Sequence, residues 1–182
     1  MKIFKNKKGT RIKIENPQKY IDLYNLEDYL FDIIGPMVKK RGFMHFDEFY
    51  KICMWKSARQ KNNYLKNKKK IEKTTKNVFL EKNELCKIKE LCKLEGIGIP
   101  TASAILTIVF PEKYGIIDVR CVEMLKEYGI KKTINYSNWL KYLELIRELA
   151  KEYKVTPRDI DKILFAMHKE NLEKNNYKNL YE

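Results

Sequence analysis

Apolar residues recur along this chain at spacings of three and four positions, which is the pattern of amphipathic helices. The pattern predicts a series of helices joined by short connections, with no internal repeat at a fixed period. The expected segments are Leu26–Lys40, Phe46–Lys56, Asn83–Leu94, Thr101–Phe110, Val119–Tyr128, a helix after Ser137 and a helix after Thr156. We therefore expect an all-α fold.

Local signals refine these segments. Asn25 is a plausible N-cap of the first helix, Gly42 should end it, and Pro36 should kink or split it because proline breaks the helical hydrogen-bond ladder. Residues 56–77 are rich in lysine with few apolar positions, which predicts one or two short helices with one side in solvent. Charged and apolar residues alternate over Arg11–Glu15, which predicts either a short strand or a loose basic arm.

The pattern gives no Pro- or Ser-rich linker that would divide the chain. We expect one helical domain over residues 1–182, or two closely packed helical lobes with a cleft between them. Residues 85–128 contain the glycine hairpin and the loop that carry the candidate chemistry. Residues 171–182 are rich in Asn and Lys and are expected to fray.

Charge narrows the choice of partner. The chain has 38 Lys and Arg against 24 Asp and Glu, a formal net charge of +14. This excess favours a polyanion, most simply DNA or RNA, although solvated lysine-rich helix faces would give the same composition. No apolar run approaches the ~20 residues that cross a membrane, and the first residues lack the apolar core of a secretory signal. We expect a cytoplasmic or nucleoid-associated protein without a membrane partner.

The cysteines do not form a metal-binding pattern. They are Cys53, Cys86, Cys92 and Cys121. No C-x-x-C pair occurs, so neither a zinc site nor an iron–sulfur centre is expected. All four fall on apolar helical positions, which predicts buried free thiols. His45 and His168 have no recognisable partner set, so we expect structural or surface roles for them.

The strongest local signal is the run Gly96-Ile97-Gly98, which follows one predicted helix and precedes another. Two close glycines allow a sharp turn and a close approach to a bulky anion. The helix that starts at once, with Pro100 in its first turn, directs unpaired N–H groups at that anion. The hairpin is therefore predicted to hold a phosphate, and the alternative is an ordinary turn between packed helices. Such a contact carries no sequence information.

Four side chains outside the hairpin are candidates for chemistry or binding. Asp118 directly precedes a helix, so it could cap that helix, act as a catalytic carboxylate, or do both. Trp55 could stack on a base, while Lys56 and Arg59 could bind phosphate. The alternative for these three is a core tryptophan followed by a solvated basic turn.

The stretch Leu94–Leu106, taken with Ile117-Asp118, resembles the motif of the helix-hairpin-helix DNA glycosylase superfamily. That motif reads hydrophobic-Pro-Gly-hydrophobic-Gly-x-Lys-Thr-Ala, then an apolar stretch, then Val-Asp before the next helix. The matching residues here are Gly96, Gly98, Thr101-Ala102 and Ile117-Asp118. The similarity covers about residues 85–128, and the all-α pattern agrees with the family's helical bundle.

The resemblance implies a mechanism on double-stranded DNA. Gly96, Ile97, Gly98 and Thr101 would hold a backbone phosphate, in some members through a monovalent cation bound to the hairpin backbone. No other cofactor is implied. The enzyme would flip a base out of the stack, and Asp118 would stabilise an oxocarbenium-like transition state or orient a water that attacks C1′.

Three departures from the motif change these expectations. Glu95 replaces the usual proline and brings a negative charge to the hairpin. Pro100 stands where bifunctional members carry a Schiff-base lysine, and proline has no amine to act as nucleophile. Arg120 stands where many members have histidine, so it is a candidate base-pocket or phosphate contact. The cysteine quartet of iron–sulfur members is also absent.

The sequence thus favours a monofunctional DNA N-glycosylase of base-excision repair that hydrolyses the bond to a damaged or mismatched base. A non-enzymatic helix-hairpin-helix protein would bind DNA through the same hairpin without releasing a base. An all-α protein-interaction domain with incidental charge is the third hypothesis.

Overall fold

The protein is described by a computed structural model that covers residues 12–23 and 29–181, with the backbone alone for residues 174–181. Within these ranges every regular element is helical, which confirms the all-α prediction. The helices are α1 (Pro17–Asp22), α2 (Gly35–Arg41), α3 (Phe46–Lys56), α4 (Lys61–Leu65), α5 (Ile71–Leu80), α6 (Glu84–Leu91), α7 (Ile99–Val109), α8 (Val119–Leu125), α9 (Tyr136–Tyr153) and α10 (Pro157–Tyr181). A π-helical turn covers Tyr29–Ile34, and 3₁₀ turns cover Ala58–Gln60 and Lys126–Tyr128.

Pro36 splits the first predicted helix, as expected. The chain forms the π-helical turn as far as Ile34 and then α2 from Gly35, because Pro36 has no N–H to continue the hydrogen-bond ladder. Gly42 ends α2 with φ of 82°, the left-handed conformation that glycine adopts easily. The predicted cap Asn25 lies outside the described residues.

Capping side chains set the starts of the two long C-terminal helices. The helix α9 begins at Tyr136, before the predicted start, because Asn135 is the cap and its Oδ1 accepts the Asn138 N–H at 2.9 Å. The helix α10 begins as predicted. Asp159 Oδ2 accepts the Thr156 N–H at 2.9 Å, and Thr156 Oγ1 accepts the Asp159 N–H at 3.1 Å.

The N-terminal segment from Ile12 is an irregular arm, so the alternative of a short strand is wrong for its described part. Ile12 and Ile14 are buried. The Ile14 N–H donates to the Tyr153 hydroxyl at 2.9 Å, and that hydroxyl lies 3.2 Å from the Ile12 carbonyl oxygen, which accepts from it. The alternating pattern therefore reflects two isoleucines that dock on α9. Arg11 lies outside the described residues.

The basic segment forms two short helices, α4 and α5, as predicted. Each helix buries one apolar face, with Tyr64 in α4 and Ile71 and Val78 in α5, while its lysines remain in solvent. This packing leaves the charge of the segment available to a partner.

The helix α7 lies at the centre of one continuous hydrophobic core. Every residue from Thr101 to Val109 is buried, and α2, α3 and α6 pack against this helix. Gly35 lies against it so closely that a Cβ at that position would be 2.1 Å from the Ile108 carbonyl oxygen. The hairpin before α7 and the loop after it are therefore both attached to a rigid element.

The last helix is longer than the sequence suggested. The backbone of α10 is helical as far as Tyr181, and the fraying expected from residue 171 stays a prediction. The buried first turns nucleate the helix, and propagation then adds one hydrogen bond for each residue fixed. No helix in the described ranges is both long and apolar enough to cross a membrane.

Two of the four cysteines differ from the prediction. Cys53 and Cys121 are buried, and burial raises the pKa of each thiol above its usual value. Cys86 is exposed and Cys92 is only half-buried, because α6 directs Ile88 and Leu91 into the core instead.

Candidate functional site

The hairpin between α6 and α7 is a tight turn that requires glycine at position 96. Gly96 has φ of 79°, and the Ile97 N–H donates across the turn to the Leu94 carbonyl at 3.1 Å. A Cβ at Gly96 would lie 2.9 Å from the Asn63 Cβ and 3.2 Å from the Gln60 Cβ. Gly96 therefore serves the packing of the hairpin on α4 as well as the turn itself.

A buried asparagine fixes the hairpin in place. The Asn67 side chain donates to the Glu95 carbonyl at 2.9 Å and accepts the Glu95 N–H at 2.8 Å. It also donates to the carbonyls of Asn63 and Tyr64 at 3.2 Å. The sequence did not reveal this role of Asn67, since a side chain that bridges 28 positions leaves no local signal.

Gly98 serves a different purpose from Gly96. It is the exposed N-cap of α7 with φ of −96°, and a Cβ there would meet only the Pro100 Cδ, at 3.8 Å. No packing inside the protein requires glycine at this position. The first N–H groups of α7 have no partner within the helix, so Gly98 leaves the approach to them open.

The side chains of Ile97 and Thr101 are buried, unlike that of an exposed binding residue. The Thr101 hydroxyl lies beside the Tyr64 hydroxyl and lowers the Tyr64 pKa, while burial raises it more strongly. Any ligand at the hairpin would therefore meet these residues through their backbone, where the Ile97 N–H already donates to the Leu94 carbonyl.

The loop before α8 is held by hydrogen bonds from three helices. Ser103 of α7 donates to the Pro100 carbonyl at 2.8 Å and accepts the Ile117 N–H at 3.2 Å. Asp161 of α10 accepts the Ile116 N–H at 2.7 Å, and Tyr142 of α9 donates to the Ile116 carbonyl at 2.8 Å. Through Ser103, the first turn of α7 and the residue before Asp118 are one connected unit.

Asp118 uses its two carboxylate oxygens differently. Oδ1 caps α8 by accepting the N–H groups of Arg120 at 3.0 Å and Cys121 at 2.9 Å. Oδ2 lies 3.8 Å from the Lys56 Nζ, with the two side chains 21% and 17% exposed. The capping role is therefore present, and the second oxygen remains in a partly open site beside a cation.

Asp118 and Lys56 line a cavity of about 190 Å³. The cavity walls are formed by Trp55, Lys56, Ile116, Asp118, Arg158, Asp161 and Phe165. This volume is below the ~300–1,000 Å³ of ordinary small-molecule pockets. The cavity therefore suits a single chemical group of a larger ligand rather than a whole small molecule. The structure thus brings three of the candidate residues, Trp55, Lys56 and Asp118, into one site.

Arg158, Asp161 and Phe165 of the cavity were not recognised from the sequence. The buried Arg158 guanidinium contacts the Asp161 carboxylate and lies 4.6 Å from the centre of the Phe31 ring. Burial raises the pKa of Asp161 to about 7, although Arg158 and the Ile116 N–H act to lower it. The three residues share one face of α10 at spacings of three and four. The charged pair on this otherwise apolar face is the sequence feature that could have indicated them.

Arg120 and Arg59 lie outside the cavity walls. The Arg120 guanidinium stacks 4.4 Å from the centre of the Phe165 ring, so it supports the cavity through that ring. Arg59 is exposed on the 3₁₀ turn that connects α3 to α4.

The cavity and the hairpin border the same short segment. Lys56 lines the cavity, and Gln60, four positions later, packs against Gly96. Four residues span at most ~14 Å, so the cavity residue Lys56 and the hairpin contact Gln60 are close along the chain.

The chain has no match among protein-family models, curated proteins or solved structures. Within the described residues, no group of three or more His, Cys, Asp or Glu side chains is placed to hold a metal ion. The function must therefore be argued from the hairpin and the cavity.

Proposed function

We propose that this protein binds duplex DNA through the hairpin and hydrolyses the N-glycosidic bond of a damaged or mismatched base. The observation that carries the proposal is the position of Asp118. One oxygen of its carboxylate caps α8, and the other lies beside Lys56 in a cavity with two aromatic walls, Trp55 and Phe165. The resemblance of residues 85–128 to the helix-hairpin-helix glycosylase motif supports the same assignment.

Binding would begin at the backbone of the hairpin. Gly98 leaves the start of α7 accessible, and a phosphate there would accept N–H groups while the helix dipole stabilises its charge. The net charge of +14 would attract the DNA through its phosphates. Because phosphate contacts carry no sequence information, binding would be largely independent of sequence.

The reaction would take place on a base flipped into the cavity. The bond between the base nitrogen and C1′ breaks, and its electron pair leaves with the base. The Asp118 carboxylate stabilises the positive charge that develops on the sugar. A water oxygen then bonds to C1′, and the proton lost by that water neutralises the negative charge of the departing base.

The residues around Asp118 would hold the substrate. Trp55 and Phe165 line the cavity and would contact a flat base, and stacking on such rings is tolerant of base identity. Lys56 would contact the phosphate of the flipped nucleotide, and its positive charge, 3.8 Å from Asp118 Oδ2, would keep that carboxylate oriented.

The hairpin helix itself provides no amine. Pro100 occupies the position of the Schiff-base lysine in bifunctional members, so release of the base by water is the expected route. The hairpin carbonyls of Gly96 and Gly98 could hold a monovalent cation, although the Gly98 carbonyl already accepts the Ala102 N–H at 2.9 Å. Such a cation would add positive charge facing the phosphate, and no step of the reaction depends on it.

The proposal is tested by base release from duplex oligonucleotides that carry deaminated, alkylated, oxidised or mismatched bases. The wild-type protein should release at least one of these bases and should not be trapped on DNA by borohydride. Asp118→Asn is the matched variant, because asparagine caps a helix about as well as aspartate but carries no charge. It should lose about 100-fold or more of the activity while DNA affinity changes less than about threefold.

A non-enzymatic DNA-binding protein is the second candidate. It is favoured by the observation that the hydrogen bonds and the Lys56 ion pair already give Asp118 a structural role. In that case the protein would bind DNA with a steep salt dependence, and no base would be released from any substrate in the series.

A further inference from the structure

We propose that the lysine turn, residues Lys66–Lys70 between α4 and α5, binds the phosphate backbone of duplex DNA next to the hairpin. One DNA strand would then be held at two adjacent places. This inference rests on the proposed function, because it takes duplex DNA as the ligand. It comes from the way Asn67, in the middle of the turn, is bonded to Glu95 of the hairpin.

Asn67 fixes the distance between the two surfaces. Its side chain is fully buried and makes hydrogen bonds in both directions with the backbone of Glu95. The turn itself is tightened by backbone bonds from Asn67 to Tyr64 at 3.1 Å and from Lys70 to Asn67 at 2.8 Å. The lysines and the hairpin are therefore pre-organised relative to each other before a ligand arrives, which lowers the cost of binding.

Within the described residues, no ion pair neutralises the charge of this turn. Lys68, Lys69 and Lys70 are exposed, and none of them takes part in an ion pair of the described residues. In contrast, Lys93 and Lys126 each pair with a glutamate three positions earlier on their own helical segment. The three adjacent lysines of the turn thus carry their charge side by side without an acidic partner among the described residues.

The position of the turn at the start of α5 adds to this charge. Positive charge is unfavourable at a helix N-terminus, where the helix dipole is also positive. The lysines directly precede Ile71, the first residue of α5, and Glu72 is the only acid in the first turn of that helix. Glu72 in turn contacts His45 at 2.8 Å. A DNA phosphate beside the turn would remove this repulsion.

The test compares the salt dependence of DNA affinity in two triple variants of the full chain. One carries Lys68→Gln, Lys69→Gln and Lys70→Gln. The other carries the same loss of charge at exposed lysines elsewhere, Lys131→Gln, Lys132→Gln and Lys141→Gln. Binding to an undamaged duplex is measured from about 50 to 200 mM salt.

Affinity falls as salt rises, so the slope of log affinity against log salt is negative. The lysine-turn variant should make this slope less steep by about 2 to 3, since each lost phosphate contact removes ~0.9 from its magnitude. The control variant should change the slope by less than about 1. The lysine-turn variant should also melt at the same or a higher temperature than the wild type, because the repulsion at α5 is reduced. This combination separates a binding role from a loss of folding.

An unchanged slope in the lysine-turn variant, or an equal change in the control, would overturn the inference while leaving the proposed function standing. A wild-type protein that shows no salt-dependent DNA binding would overturn both. If the slope changes as expected but no substrate loses its base, the lysine turn is supported and the glycosylase activity is excluded for those substrates.

Discussion

The hairpin and the cavity are neighbours, but they are built in opposite ways. The hairpin is local, because the turn from Leu94 to Ile97, the left-handed Gly96 and the cap Gly98 lie within five consecutive residues. The cavity takes its walls from α3, the loop before α8 and α10, which are distant in sequence. A backbone turn can thus be predicted from a short motif, whereas the set of residues around a cavity depends on how the whole core packs.

The largest expected effect on stability concerns the cavity wall that α10 forms. Asp161→Ala removes the carboxylate that contacts the buried Arg158 and accepts the Ile116 N–H, which should cost about 3–5 kcal/mol of unfolding free energy. Urea unfolding measures this cost, and Asp161→Asn, which keeps an acceptor, should cost less. A cost below about 1 kcal/mol for the alanine variant would show that the cavity does not depend on this pair.

The same carboxyl should make the stability of the protein depend on pH. The pKa of Asp161 is raised from 3.8 to about 7, so the folded protein binds more protons than the unfolded chain between these values. Unfolding free energy should therefore fall by roughly 2–4 kcal/mol as pH rises from about 4 to 7, and level off above that. The difference between the wild type and Asp161→Asn across this range isolates the contribution, and a difference that is constant with pH would contradict it.

The two glycines of the hairpin provide a matched pair. Gly96→Ala should cost about 2–3 kcal/mol, because alanine is strained at positive φ and its Cβ meets Asn63. Gly98→Ala should cost less than about 1 kcal/mol, since its Cβ has space, yet it should weaken DNA binding about 10-fold by blocking the phosphate. Melting curves and a DNA titration separate the two, and equal stability losses would mean that both glycines serve only packing.

The smallest effect concerns the link between the two regions. Ser103→Ala removes the hydroxyl that joins the start of α7 to Ile117, at a cost of about 1 kcal/mol. Base release should slow while DNA affinity stays the same, because Asp118 is less well positioned and the hairpin is intact. A parallel loss of affinity and rate would indicate that Ser103 supports the fold in general.

The sequence predicted most of the helices and the hairpin because their signals are local, but it did not predict α1. The spacing of apolar residues set α3 and α7, Thr156 and Pro157 set the start of α10, and Gly96 marked the turn. These features follow from backbone conformation and from residues one turn apart.

Tertiary partners could not be predicted in the same way. Asn67 reaches Glu95 across 28 positions, and Asp161 reaches Ile116 across 45, so no pattern along the chain indicates either contact. Asp118 was recognised, but its proximity to Lys56 depends on how α3 and the loop before α8 meet. The alternation at Ile12 and Ile14 was ambiguous because a docked arm and a strand bury the same residues.

In the proposed function, the hairpin holds the DNA and Asp118 performs the chemistry. The most direct test measures both the dissociation constant and the single-turnover rate of base release at saturating DNA for Asp118→Asn and Gly98→Ala. We expect Asp118→Asn to lose about 100-fold or more in rate with nearly unchanged affinity, and Gly98→Ala to lose affinity with nearly unchanged rate. Base release by Asp118→Asn at the wild-type rate would contradict the account.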